Sequence, residues 1–130
     1  MGLAGNIGNQ SSTIIVRGLS TGVISLSQAF KIVLRELLVG LTIGSILSGS
    51  FYFVLIFLNY THVIALLIAL SMVVTMFLAT FIGSVLPLTF KRFGIDPAVA
   101  SAPFISSTLD IVVQLVYFAI TLQIVSRIVS

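Results

Sequence analysis

Apolar residues fill this chain in long runs broken by a few short polar stretches. The longest run spans 37–90 and holds no Asp, Glu, Lys or Arg. As one helix it would reach about 80 Å, against a bilayer hydrocarbon core of about 30 Å. It must therefore fold back, and the one polar break inside it is Asn59-Tyr60-Thr61-His62. The pattern predicts two spanning helices, 37–58 and 63–90, joined at that break. Upstream, 1–17 is apolar around one polar group and would reach about 25 Å as a helix. It predicts a partial span whose end is marked by Arg17. Leu26, Phe30, Val33, Leu34 and Leu37 then recur at helical spacing beside the basic pair Lys31 and Arg35. This predicts a short interfacial helix over 26–36, opened by a capping box between Ser25 and Gln28. Downstream, 103–126 predicts a third full span. Pro87 is expected to kink or end its helix, Gly94 to end one and Pro97 to start the next structure. The fold class is all-α, a polytopic membrane helix bundle forming a single domain over 1–130.

Small residues refine that picture. Gly40, Gly44 and Ser48 recur every four residues, as do Thr75, Ala79 and Gly83. Such stripes let membrane helices approach closely. Composition agrees: 58% of residues are hydrophobic and only 7% charged, where a soluble domain carries about 25% charged residues. There is no cysteine, so the sequence carries no signal of redox compartment or of thiol-ligated metals. The net charge of +3 reflects basic loops rather than a nucleic-acid surface. Arg17, Lys31, Arg35, Lys91 and Arg92 fall in two loops on one side if the spans alternate, which predicts that loops 18–36 and 91–102 are cytoplasmic. The C-terminus then lies outside the cell membrane.

The candidate chemistry sits in the first and last spans. Asp110 lies about 10 Å into the last one. A carboxylate at that depth costs about 3 kcal/mol on insertion scales, so it belongs to a water-filled path or ion site, or else is neutralised within the bundle. Ser106, Asp110 and Gln114 form an i, i+4, i+8 stripe, extended by Tyr117 and Thr121. In the first segment, Gly5, Asn9 and Thr13 form one such stripe and Asn6 with Gln10 a second. Their oxygens suit a hard cation such as Mg²⁺ or its water shell, and equally suit interhelical hydrogen bonding. His62 has no second histidine to share a metal with, and Asp96 before Pro97 reads as a cap or turn residue. Glu36 is expected to pair with Arg17 or Lys31 at the membrane edge. One buried acid, without a serine–histidine arrangement at a shared depth, gives no catalytic set; the chain is not expected to be an enzyme.

Three motifs resemble a known family. "AGNIGNQSSTIIVRGLSTG" is similar to the second transmembrane helix of MgtE-type magnesium transporters. "LRELLVGLTIG" resembles the start of their third helix, and "LPLTFKRFGIDPAVASAPFISSTLD" their fourth-to-fifth helix connection and acidic fifth helix. The resemblance implies a homodimer whose second and fifth helices line a central pore for Mg²⁺ within the lipid bilayer. It implies that Asp110 binds the ion and that Gly5, Asn9, Thr13 and Ser106 lie at pore positions. Asn9 and Ser106 are then expected to contact the ion with Asp110, and Gln114, from the Asp110 stripe, to line its path with Gly5 and Thr13. Against the family pattern, this sequence begins within the second helix. The first helix and the cytoplasmic N-terminal and CBS domains are expected to be missing, and Val113 stands where glycine is common. The expected function is passive inward Mg²⁺ transport, other divalent cations not being distinguished. The alternatives are a non-conducting partner subunit and a proton-coupled carrier using Asp110.

Overall fold

A computed structural model describes residues 2–97 and 102–129. They form four helices: α1 over Gly2–Ser20, α2 over Ala29–Phe57, α3 over His62–Arg92 and α4 over Ala102–Val129. A 3-10 turn, Leu26–Gln28, precedes α2. Three helical stretches, Leu26–Phe57, His62–Arg92 and Ser106–Gln123, are long and apolar enough to cross a membrane. The protein is an all-α membrane helix bundle.

Several boundaries differ from the sequence pattern. The segments 26–36 and 37–58 are not separate helices: from Ala29 the helix runs unbroken to Phe57. Between 29 and 39 there is no Gly or Pro, and Leu, Arg, Glu and Lys there all favour helix, so nothing stops it. The capping box also does not form, because the Ser25 hydroxyl shares a 2.8 Å hydrogen bond with that of Ser27 instead. Pro87 lies inside α3, which continues to Arg92. Its missing N–H leaves the Gly83 carbonyl without its helical donor, but does not end the helix. Of the predicted loop 91–102, residues 98–101 lie outside the described residues.

The turns are closed by local backbone chemistry. At the end of α2, Asn59 takes φ 63°. Its N–H donates to the Ile56 carbonyl at 3.0 Å, and the Tyr60 N–H to that of Leu55 at 3.1 Å. At the end of α3, Gly94 takes φ 74°, with Gly94 N–H to Lys91 at 3.2 Å and Ile95 N–H to Phe90 at 3.0 Å. Both are Schellman motifs, which satisfy terminal carbonyls through a left-handed residue. Asparagine tolerates that conformation better than most side chains. Asn59→Ala should therefore destabilise the hairpin by about 1 kcal/mol while Asn59→Gly is neutral or better, measured by detergent unfolding followed by helicity. On the same side, the Tyr52 hydroxyl lies 3.0 Å from His62 Nδ1 and ties the two helix ends together.

Helix α3 is the centre, with α1, α2 and α4 packed around it and α4 also touching α1. Antiparallel α2 presents its glycines to α3: a Cβ at Gly40 would collide with the Thr80 side chain, and one at Gly44 would lie 3.3 Å from Met76 Cβ. Parallel α1 approaches more closely still. A Cβ at Gly8 would stand 2.7 Å from the Ala79 carbonyl oxygen, and one at Gly83 would fall on the Gly8 carbonyl. Such contact is the van der Waals packing that holds helices together in lipid. The buried hydroxyls of Thr75, Thr80 and Ser84 donate to carbonyls one turn back at 2.7–2.9 Å, so they need no partner across the interface. One core gathers Ala4, Ile7, Met76, Ala79, Leu109 and Val113. A second packs Ile15, Leu19 and Leu88 against Ile24, Ala29, Ile32 and Val33. Because that second cluster joins the end of α1, the start of α2 and the end of α3, Arg17, Lys31, Arg35, Lys91 and Arg92 gather at one end of the bundle.

Candidate cation site between the first and last helices

Helix α4 is oriented by its apolar face. Leu109 is fully buried and Val113 nearly so, both in the core that holds Ala4, and Leu109 Cδ1 reaches the groove left by Gly8. One residue further around the helix, Asp110 is exposed on the adjoining face. Its carboxylate lies over Gly5: a Cβ there would stand 2.7 Å from Asp110 Oδ1 and 3.8 Å from Cγ. Gly5 is buried beneath it. Two residues predicted from separate motifs are thus brought together, and the absence of a side chain at Gly5 makes room for the carboxylate.

Antiparallel packing of α1 and α4 sets the level of the rest. With Gly5 opposite Asp110, one turn of about 6 Å toward the basic end places Asn9 and Ser106 at a common level. Both are half-buried. Asn9 Oδ1 is buried with no hydrogen-bond partner among the described residues. A buried acceptor left unbonded costs about 1–3 kcal/mol, so this oxygen is a ready ligand for water or a cation. Thr13, exposed a further turn along, donates its hydroxyl to the Asn9 backbone oxygen at 2.8 Å. Gln114 is exposed one turn beyond Asp110 on the other side, and Asn6 and Gln10 are exposed on α1. The predicted stripes therefore form one continuous polar face. It carries a carboxylate, carboxamides and hydroxyls, an all-oxygen set suited to a hard, hydrated cation. Among the described residues no group of three His, Cys, Asp or Glu side chains forms a closed metal cage. The face is open.

Two features escaped the sequence pattern. Gly8 makes the closest helix contact, and the signal for it was the Gly-x-x-Gly spacing within "GNIG", which reads equally as pore lining. Glu36, expected in a pair at the membrane edge, is instead only 7% exposed. Its helical register with Gly40 turns it toward α3, and it pairs with neither Arg17 nor Lys31.

A family model described as a divalent cation transporter, MgtE, matches residues 1–120. The chain is 33% identical over 124 residues to the magnesium transporter MgtE of Thermus thermophilus, and 30% identical over 119 residues to that of Bacillus subtilis. It is 33% identical over 119 residues to the corresponding protein of Enterococcus faecalis. Each match covers 92% of this chain and 26% of the relative, so the chain spans about a quarter of their length.

Proposed function

We propose, from the premise that this chain belongs to the MgtE family of divalent cation transporters, that its polar face is one wall of a Mg²⁺ path across the membrane. The observation that carries this is the Asp110 carboxylate seated over Gly5 and exposed beside a polar stripe in an otherwise apolar bundle. Such a face is costly against lipid, and a second copy facing it across a two-fold axis would enclose water between them. Each copy contributes one Asp110, so two carboxylates attract the dication. Mg²⁺ sheds its waters reluctantly, and contact is therefore through its hydration shell. Asn9 Oδ1 and Ser106 accept from or orient those waters one turn along, while Gly5, Thr13 and Gln114 leave the path wide enough for a hydrated ion. The basic end of the bundle is the cytoplasmic one. Inward flow then follows the potential, which supplies about 2.3 kcal/mol per charge per 100 mV, doubled for a dication. The chain transports and catalyses no reaction.

The test is Mg²⁺ influx into liposomes holding the purified chain, under an inside-negative potential. Saturable influx that rises with potential supports the reading. Influx no greater than in empty liposomes, from chain shown to be folded and dimeric, would refute a self-sufficient path. Gly5→Ala gives a finer check. Its methyl group would meet only the mobile end of the Asp110 side chain, so the fold should survive while the carboxylate is pushed aside. The half-saturating Mg²⁺ concentration should rise about tenfold, equivalent to roughly 1.4 kcal/mol, with thermal stability nearly unchanged.

A further inference from the structure

Away from the polar face, a groove of about 520 Å³ runs between α2 and α3 at the basic end of the bundle. Its walls are apolar: Phe30 and Leu34 from α2, Phe81 and Val85 from α3, with Arg92 at its end. On α3 these residues fall at i, i+4 and i+11, one face of the helix. Several are well exposed, Phe30 at 82% and Phe81 at 43%. We infer that this groove is a binding site for one anionic phospholipid, an acyl chain lying between α2 and α3 and the phosphate held by Arg92.

Three observations select that occupant. The volume takes little more than one turn of a helix about 10 Å across, yet suits a single hydrocarbon chain along its length. Arg92 is exposed at the groove's mouth, and a guanidinium binds phosphate oxygens bidentately. Lys31, Arg35 and Lys91 surround the same end and are exposed or half-exposed, so the local field favours an anionic over a zwitterionic headgroup. The inference is independent of the cation path, since the groove shares no residue with the polar face and requires only that the bundle lie in a bilayer.

The chain purified in mild detergent is titrated with palmitoyl-oleoyl phosphatidylglycerol or with phosphatidylcholine of the same acyl chains, and bound lipid is counted by native mass spectrometry. Phosphatidylglycerol should be retained about fivefold more tightly, as expected for one basic contact near a membrane surface. Arg92→Gln should reduce it to the phosphatidylcholine level. Lys31→Gln removes the same charge from a residue outside the groove's lining and should lower the preference by a much smaller factor than Arg92→Gln does. Val33→Trp should fill the groove and weaken retention of both lipids. Equal retention of the two lipids by the unaltered chain, or equal loss from Arg92→Gln and Lys31→Gln, would overturn the site. So would a disulfide between two chains carrying Phe81→Cys, which would assign the groove to a second copy.

Discussion

Asp110→Asn is expected to abolish most Mg²⁺ influx while leaving the helix bundle intact. The side chain is exposed and touches only Gly5 among the close glycine contacts, and asparagine keeps its shape. What it loses is charge. A dication about 5 Å away, one water layer from a carboxylate, is held by about 2–3 kcal/mol at an effective dielectric of about 40–80, or about thirtyfold to a hundredfold in affinity. With one carboxylate from each copy the loss applies twice. Influx at low millimolar Mg²⁺ should therefore fall by at least about a hundredfold. Asp110→Glu keeps the charge but advances it by one methylene, and should retain a measurable fraction of the flux. If Asp110→Asn transports normally while its helicity and dimer fraction match the parent chain, the ion does not pass this carboxylate. Parallel assays across pH separate the rival carrier reading. A channel loses flux with the charge at every pH, whereas a proton-coupled carrier would lose only its pH dependence together with coupled transport.

Gly83→Val should have the largest effect on folding. A Cβ at Gly83 would fall on the carbonyl of Gly8, with the carbonyl carbon 2.8 Å and the Cα 3.1 Å away. These are backbone atoms of a helix and cannot rotate aside as the Asp110 side chain can. Helices α1 and α3 must therefore separate, which also pulls Gly8 from Ala79 and from Leu109. A cost of roughly 3 kcal/mol is expected, the upper part of the range for overpacked cores. It should appear as lower yield of folded chain and an earlier unfolding midpoint in detergent. Gly49→Ala is the counterpart, because nothing lies within 4 Å of the added methyl group. It should stabilise α2 by about 0.5–1 kcal/mol. Equal unfolding midpoints for Gly83→Val and Gly49→Ala would show that the Gly8–Gly83 crossing does not hold the bundle together. Gly83→Val should also remove transport, since displacing α1 carries Gly5 and Asn9 away from Asp110.

Much of this was legible along the chain. A run without charge from 37 to 90 must cross the membrane and turn at Asn59, because no helix of that length fits the bilayer and asparagine accepts the left-handed turn. Gly94 declared the end of α3 for the same local reason. The stripes of Gly5, Asn9 and Thr13, and of Ser106, Asp110 and Gln114, follow from helical period alone. Asp110 stood out because a carboxylate inside an apolar helix is costly wherever that helix packs. These properties depend on neighbours three or four residues away, and sequence records such neighbours directly.

The tertiary structure decided which stripe meets which. That Asp110 lies over Gly5, that Gly8 and Gly83 touch backbone to backbone, and that Glu36 turns inward toward α3 all depend on how α1, α2 and α4 rotate around α3. The passage of α3 through Pro87 belongs here too, since Pro87 is buried within the bundle and the helix continues past a local break worth about 3 kcal/mol. Rotation about a helix axis is set by interlocking shapes distant in sequence. The four-residue period determines a face, but only packing chooses the partner it is turned toward.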